Sequence, residues 1–317
     1  MTIPSNLLIK TYGDPTDNPV DPIFTNSDIT GDFGDGLLMD IDFFDPDGAG
    51  GYAGAYAAGD LIINSAWEHV ARRLIPGATR DQLSCTIARN GAANQLKVER
   101  TGRGAMHVQI SATNDDANTL FALNFPAAIV AYIIANPTHQ YRAAIEEQIT
   151  RVDAWTGNPG NCEAVVYRSD AATGDLLFRM EGRNNGSGGF RPFDARRLVA
   201  TMLPDFMSTR GEHFKSISVD GWSNNLPASP DATTARWSWG PTDGGGVHQA
   251  RSSIARRFVL MDLTVSQAAL AAATAAGSPT SESWTPASAD ARHQAVWAMR
   301  RQSTDYYFGD TFNQPIA

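Results

Sequence analysis

Neighbouring carboxylates are the residues of this sequence with the most obvious chemical use. A glycosidase needs a carboxylic acid and a carboxylate placed across the sugar bond that it cleaves. Glu146 and Glu147 are adjacent, so on a β-strand their side chains point to opposite faces and cannot act on one substrate. A Glu-x-Asp-x-x-Glu run, which would place such carboxylates on one strand face, is absent. We therefore expect Glu146 and Glu147 to be solvated side chains.

Other catalytic motifs are also missing from the sequence. The glycine-rich stretch Gly48–Gly59 lacks the lysine of a phosphate-binding loop. No Gly-x-Ser-x-Gly nucleophile elbow is present. The histidines show no metal-ligand spacing and are expected at the surface or satisfied in the core: His69, His107, His139, His213, His248 and His293. The sequence thus predicts a protein that is not an enzyme, with a glycan-cleaving enzyme as the lesser alternative.

The turn Asp45-Pro46-Asp47-Gly48 is a candidate calcium site. Asp45 and Asp47 could offer carboxylate oxygens, with Asp40 and Asp42 nearby, and Ca²⁺ takes six to eight oxygen ligands. The glutamate that would complete an EF-hand loop is missing. The alternatives are a calcium site and an ordinary Asp-rich turn, and no other cofactor is expected.

Tryptophans beside loops are candidate sugar-binding residues. Trp222, Trp237 and Trp239 lie next to loop-like stretches. Trp237 and Trp239 are two residues apart, so on a strand they share a face. Exposed indole rings could stack on sugar rings, whereas buried ones would pack in the core or anchor a subunit interface. The sequence leaves both alternatives open.

The chain of 317 residues has a net charge of −9 and a pI of about 5.1. This balance argues against a nucleic-acid partner, which needs a basic surface to displace counterions. It argues equally against binding to an anionic membrane surface. Almost all positive charge is arginine, since lysine stands only at Lys10, Lys97 and Lys215. Either genome composition or an Arg-lined interface would explain that preference.

No export or membrane signal is apparent. The N-terminal sequence lacks a charged region followed by an apolar core, so it does not read as a signal peptide. The longest apolar run, Ala127–Ala135, is far shorter than the roughly 18 residues of a membrane span. Synthesis in a host cytoplasm without membrane insertion is expected. Cys85 and Cys162 are expected to be buried free thiols, with a single bridge as the alternative.

The elements that must position these residues centre on residues 119–155. Thr119–Phe125 reads as a strand, Ala127–Ala135 as a short buried helix, and Tyr141–Val152 as a long strand with one wet face. Earlier, Gly36–Phe44 alternates in a way that predicts a strand with Asp40 and Asp42 facing water.

Further elements follow from turn and capping signals. Asn90-Gly91 predicts that the strands Leu83–Arg89 and Leu96–Arg100 form a hairpin-like pair. Ser65 with Glu68 resembles the capping box of a helix. The strand Arg257–Val265 is expected to run into a helix capped by Ser266, and Ala289–Arg301 is a further helix candidate. Large apolar side chains are expected in the core: Ile145, Ile149, Phe258, Leu260 and Leu263.

Many strands with Gly, Asn and Pro turns, without repeats or strand–helix alternation, predict a mostly β, antiparallel β-sandwich. A few short helices and extended terminal arms complete it. Three parts are expected: an extended arm at 1–35, the sandwich at 36–277, and a C-terminal extension at 278–317. That extension is expected to pack on the sandwich or on a neighbouring subunit.

Three short segments carry a resemblance to a known family. Asn136-Pro137-Thr138-His139 runs into the long strand, Asp262-Leu263-Thr264-Val265-Ser266 runs into a helix, and Gly309-Asp310-Thr311-Phe312 closes the chain. Over residues 83–312 this succession resembles structural proteins of tailed bacteriophages with a concanavalin-like (LamG-type) jelly-roll domain. The resemblance implies a virion component of the tail, fibre or neck, or a decoration protein. A lectin-like module that binds carbohydrate or a host receptor is the alternative.

Aromatic residues are concentrated near the C-terminus of the sequence: Tyr306, Tyr307, Phe308 and Phe312. Ordering such a segment costs about 1–2 kcal/mol per residue, so it needs a surface to pack on. Because aromatic anchors dominate interface energetics, we expect contact with a neighbouring subunit or another virion protein. The hypothesis is a homo-oligomer, most simply a trimer by analogy with phage fibres.

Overall fold

Strands dominate the part of the chain that the computed structural model describes, namely residues 33–44, 55–111, 119–136, 138–151, 161–168, 176–183, 211–219, 235–239, 252–276, 283–303 and 307–316. The strands are β1 Leu37–Asp42, β2 Leu61–Ile62, β3 Cys85–Asn90, β4 Leu96–Arg100, β5 Met106–Ile110, β6 Leu120–Asn124, β7 Tyr141–Arg151, β8 Asn161–Arg168, β9 Leu176–Arg183, β10 Gly211–Val219, β11 Arg236–Trp239 and β12 Ser252–Asp262. The helices are α1 Trp67–Arg73, α2 Ala127–Ala135, α3 Leu263–Ala275 and α4 Pro286–Gln302, with a 3₁₀ turn at Asp81–Leu83.

The strands form two six-stranded antiparallel sheets. Sheet A has the order β10-β7-β12-β5-β4, and β1 also pairs with β12. Sheet B has the order β2-β3-β6-β11-β8-β9. The prediction of a mostly β, antiparallel sandwich-type fold with a few short helices is therefore confirmed. Its finer assignment to a concanavalin-like jelly roll stays a prediction.

An aromatic core joins the two sheets. Phe258 of sheet A stacks on Phe125 at 5.2 Å and lies 5.6 Å from the ring of Trp237 in sheet B. The indole Nε1 of Trp239 donates to Ser253 Oγ across the sheets at 2.7 Å. Four of the predicted core residues are buried, namely Ile145, Phe258, Leu260 and Leu263. The side chain of Ile149 lies outside the described part.

The central elements agree closely with the sequence pattern. Helix α2 spans Ala127–Ala135 as predicted, and it buries Ile129, Val130 and Ile133. Strand β7 follows it and lies between β10 and β12. An apolar nine-residue run bounded by Pro126 is short enough to lie over the sandwich as a buried helix.

Two local predictions are wrong. Strand β3 pairs with β2 and β6 in sheet B, whereas β4 pairs with β5 in sheet A. The Asn90-Gly91 turn therefore carries the chain from one sheet to the other instead of closing a hairpin. Ser65 does not cap α1, because its hydroxyl donates to the carbonyl of Asp40 at 2.8 Å and the N-cap residue is Ala66.

The start of α3 also differs from the prediction. Asp262, not Ser266, caps the helix, since its Oδ1 accepts from the backbone N–H of Val265 at 3.0 Å. Ser266 Oγ instead accepts from the backbone N–H of Gly36 at 3.0 Å. This contact draws the start of β1 against the first turn of α3.

Gly36 is needed at this contact because a β-carbon there would lie 1.9 Å from the backbone oxygen of Asp262. We expect Gly36→Ala to lower the free energy of unfolding by about 1–3 kcal/mol, as overpacking does elsewhere. Urea unfolding would measure the loss. Gly77→Asn is the control, since Gly77 has open space around it and a φ of +84° that Asn tolerates. Equal stability of the Gly36→Ala variant and the original chain would contradict the close approach.

Candidate functional site

The tryptophans predicted to bind sugar do not form a surface. Trp237 and Trp239 share one face of β11 as expected, with ring centroids 4.7 Å apart. Both are fully buried between the sheets. Because stacking on a sugar needs an exposed ring face, the sugar-binding prediction is wrong for these two residues, and the packing alternative holds. Trp222 lies outside the described residues.

The predicted calcium ligands Asp45 and Asp47 also lie outside the described residues. Asp40 and Asp42, which were expected to face water, are buried, so that prediction is wrong. Glu146 and Glu147 are fully buried as well, which corrects the expectation of solvated carboxylates. The candidate site is the set of buried charges to which Asp40, Asp42 and Glu146 belong.

This set lies on the face of sheet A that points away from sheet B. Strand alternation places Asp40 and Asp42 of β1 on that face together with Glu146 of β7. A β-bulge in β12 between Ala255 and Arg257 breaks the alternation there. As a result, consecutive residues of β12, Arg256 and Arg257, both turn their guanidinium groups to this outer face.

A C-terminal segment packs on the outer face of sheet A. We call residues 283–303 and 307–316 the strap; it comprises α4 and the extended stretch after it. Helix α4 begins with a complete capping box between Thr285 and Ser288, with Pro286 in the first turn. Its sheet-facing residues follow helical spacing: Asp290, His293, Trp297 and Arg300.

Arginine–aspartate pairs fix β1 to its neighbours. Arg257 donates to both oxygens of Asp40, at 2.8 and 2.7 Å. Arg300 of the strap donates to both oxygens of Asp42, at 2.6 and 2.8 Å. Burial alone would raise the pKa of Asp42, but the guanidinium groups of Arg300 and Arg257 outweigh it and hold the pKa below its usual range. Both pairs have the two-pronged geometry that makes such bonds strong.

Glu146 is the acceptor at the centre of the network. It accepts from His293 Nε2 at 2.9 Å and from the Tyr307 hydroxyl at 2.5 Å, and Arg300 Nε lies 3.4 Å away. Burial raises the pKa of Glu146, but the positive charge of Arg300 and the His293 hydrogen bond reverse this effect and lower the pKa to about 2. Glu146 is therefore an anion at neutral pH.

Two further ion pairs hold the ends of the strap. Arg142 Nε donates to Asp290 Oδ1 at 2.7 Å near the start of α4. Arg256 donates to Asp310 Oδ2 at 2.8 Å beyond its end, and the same guanidinium lies 4.4 Å from the ring centroid of Tyr307. Asp310 also accepts from the backbone N–H of Arg103 at 3.0 Å. The strap is thus held at both ends and in the middle.

The terminal aromatics pack largely against their own chain. Tyr307 is buried beside Phe44, so the prediction that it anchors a neighbouring subunit is wrong. Phe312 packs edge-on against His107 at 5.5 Å and keeps part of its surface exposed. Phe308 is 64% exposed and remains available to a partner. Tyr306 lies outside the described residues.

A second cluster joins two of the segments that carried the family resemblance. His139 Nδ1 lies 2.6 Å from Asp262 Oδ2, and the Tyr132 hydroxyl donates to the same oxygen at 2.9 Å. The backbone N–H of Gln140 donates to Thr264 Oγ1 at 2.8 Å. Asp262 also caps α3, so one buried carboxylate of β12 connects α2, the residues just before β7, and α3. These bonds account for both of its oxygens.

The ion pairs and hydrogen bonds of the network hold the strap against sheet A. Glu146 and His293 have no exposed surface, so a substrate cannot reach them while the strap is in place. Each carboxylate of the network is bonded to arginine, histidine or tyrosine. Where the structure describes side chains, no group of three or more His, Cys, Asp or Glu is arranged to hold a metal ion. Cys85 is a free buried thiol whose pKa is raised to about 12 by burial.

No protein-family model matches this sequence, and no curated protein matches it. Among solved structures, the chain is similar to the CBM22-1 xylan-binding domain of Paenibacillus barcinonensis Xyn10C, with 9% identity and a TM-score of 0.27. The match covers 71% of this chain and 94% of that one. Such a TM-score is too low to assign a fold family or a ligand. In the described part of the chain, helices fall short of the length and apolar character that a bilayer crossing requires.

Proposed function

We propose that this chain is a non-enzymatic structural component of a tailed-bacteriophage virion, in the tail, fibre or neck or as a decoration protein. Its role would be to present a rigid β-sandwich for assembly with other virion proteins, and for attachment to a host where it lies at the particle surface. The resemblance in residues 136–152, 262–266 and 309–312 is what points to the virion.

The observation that carries a structural role is the use of the buried charges. A buried ion pair contributes little net stability, because desolvation offsets the attraction, but an arrangement that leaves one partner buried without the other is strongly destabilised. Five carboxylates and four arginines hold the strap and β1 in position: Asp40, Asp42, Glu146, Asp290 and Asp310 with Arg142, Arg256, Arg257 and Arg300. These ion pairs favour one defined shape, which an assembling particle requires.

Self-association is part of the proposal, with a trimer favoured. Met299 in α4 and Phe308 after it are large apolar side chains that are 67% and 64% exposed. Both belong to the strap, so the outer surface of the strap is the face that we propose for contact with a second copy or another virion protein. Aromatic anchors of this kind dominate interface energies.

Locating the chain in particles tests the proposal. Particles released from cells that carry the gene would be purified and imaged after labelling with an antibody to this chain. We expect label at a fixed position on each particle, and peptides of the chain in the mass spectrum of purified particles. Particles that lack the chain would refute the virion role.

Binding and activity assays on the full chain separate the alternatives. We expect no depolymerisation of bacterial polysaccharides. Binding to glycans that Trp222→Ala abolishes would instead establish the lectin-like alternative. Light scattering coupled to size exclusion should show an oligomer that Phe308→Ala weakens, and a monomer at high concentration would contradict self-association.

A further inference from the structure

His293 of the strap lies between an anion and a cation of β7. Its Nε2 is 2.9 Å from Glu146 Oε1, and its Nδ1 is 3.3 Å from Arg142 Nη1. An ionised carboxylate can only accept a hydrogen bond, and a guanidinium can only donate one. The two contacts therefore fix the ring as the neutral tautomer, with its proton on Nε2 and a lone pair on Nδ1.

Among the residues that the structure describes, a second proton on this ring has no acceptor. It would have to enter at Nδ1, where it would replace the hydrogen bond from Arg142 by a contact between two donors. The other groups around the ring offer no compensation. Arg257 of β12 adds positive charge, and Phe33 and Phe214 pack edge-on at 4.9 and 4.7 Å.

The neighbouring charges of the strap are already engaged. Asp290 is bonded to Arg142, Arg300 is bonded to Asp42, and the Tyr307 hydroxyl donates to Glu146. Protonation of His293 is therefore disfavoured in the docked position of α4, whereas neutral His293 satisfies both of its ring contacts.

We propose that His293 is a proton-operated latch whose protonation releases the strap from sheet A while the two sheets remain folded. The proposal does not depend on a virion role. The latch would allow the outer face of sheet A, which the strap covers, to open.

The direction and pH range of release follow from the histidine. Burial lowers the pKa of His293 to about 4 from the ordinary value of 6.5, although Glu146 opposes this effect. Below pH 6.5, His293 of a released strap binds a proton, whereas His293 of a docked strap stays largely neutral. Docking is therefore complete above pH 6.5 and weakens as the pH falls towards 4. The pKa difference corresponds to a shift in the docking equilibrium on the order of a hundredfold.

The sheets can remain folded without the strap because the principal core lies between them. Trp284 and Ala289 are the strap residues that join this core, whereas Tyr307, Trp297 and Phe312 belong to a small separate cluster with Phe44, Ala105 and Ile254. The face left by the strap carries arginines and carboxylates that water can solvate. Release therefore exposes these charges together with apolar side chains such as Phe44, Ile254 and Met261, and it withdraws Trp284 and Ala289 from the main core.

Fluorine NMR of the full chain with 5-fluorotryptophan tests the proposal, because tryptophans report on both parts. Trp284 and Trp297 lie in the strap, and Trp237 and Trp239 lie between the sheets. Lowering the pH from about 8 to about 4 spans the range in which histidine titrates. We expect the strap signals to move to a released position while the two core signals stay native. Simultaneous loss of all four signals would overturn the proposal.

His293→Gln tests the role of the proton. The glutamine amide can donate to Glu146 and accept from Arg142 but cannot gain a proton, so we expect release to move to lower pH by at least about one unit. His69→Gln is the control, since His69 is also buried with a pKa lowered by burial, but it lies in α1 and its Nε2 contacts the backbone oxygen of Asp35. We expect release in that variant at the original pH. Equal release pH in the original chain and His293→Gln would overturn the proposal.

A measurement on the original chain covers the case in which His293→Gln does not fold. Nitrogen-15 spectra of the histidine rings should show His293 as the neutral tautomer protonated at Nε2 above the release pH. It should become doubly protonated together with the movement of the strap signals. A His293 that is protonated while the strap is still docked would overturn the latch.

Discussion

Replacing Arg300 by Met is expected to lower the free energy of unfolding by about 3–5 kcal/mol, the cost of breaking a buried ion pair from one side. Arg300 binds both oxygens of Asp42 and lies beside Glu146, and all three side chains are largely withdrawn from water. Met fills a similar volume but leaves two buried carboxylates short of a cation. Urea unfolding followed by circular dichroism would measure the loss.

The neighbouring residue provides the control. Arg301 is exposed and stacks on Trp297 at 4.5 Å, so Arg301→Met should cost at most about 1 kcal/mol. Adding Asp42→Asn to Arg300→Met should cost less than the two single changes together, because the second change removes one of the stranded charges. Additive losses, or an Arg300→Met variant as stable as the original, would refute the network.

Trp237→Ala is expected to be as damaging, at about 3–5 kcal/mol, because it empties a large volume between the sheets. The indole is fully buried and packs against Trp239 and Phe258 at 4.7 and 5.6 Å. The change should lower the midpoint of urea unfolding and leave the strand signal in the circular dichroism of the folded state. Met299→Ala should change stability by about 0.5 kcal/mol or less, since Met299 is 67% exposed. A Trp237→Ala variant that loses no stability would place this tryptophan at a surface.

Elements with a strong local pattern could be predicted from the sequence. Helix α2 is apolar throughout and bounded by Pro126 and Asn136, and its predicted and observed limits coincide. The long strand after it was also predicted nearly to the residue. In both, the local pattern was strong enough to predict the element without knowledge of its distant partners.

The surroundings of each face could not be predicted in the same way. Alternation in β1 shows that Asp40 and Asp42 share a face. It cannot show that another part of the chain covers that face, and the assumption of water was wrong. Likewise, Asn90-Gly91 indicates a change of direction, but it does not determine which sheet the next strand joins.

The charge network has no local signature because its partners are far apart in the chain. Asp42 and Arg300 are separated by 258 positions, and Glu146 and His293 by 147. Two weaker signals were present in the sequence. Arginine almost replaces lysine, which favours two-pronged bonds to carboxylates. Asp290, His293, Trp297 and Arg300 lie at helical spacing, which marks one face of α4 as the one that packs.

The position of the strap in the chain bears on how the protein is made. Every described strand of sheet A precedes the strap in the chain, so the residues of sheet A are synthesised before those of α4. An apolar face left open during that interval would invite aggregation. The face that α4 covers carries Asp42, Glu146, Arg256 and Arg257 beside its apolar residues, and water can solvate these charges until α4 docks. The charges that fix the docked strap are thus also groups that keep this face compatible with water before it docks.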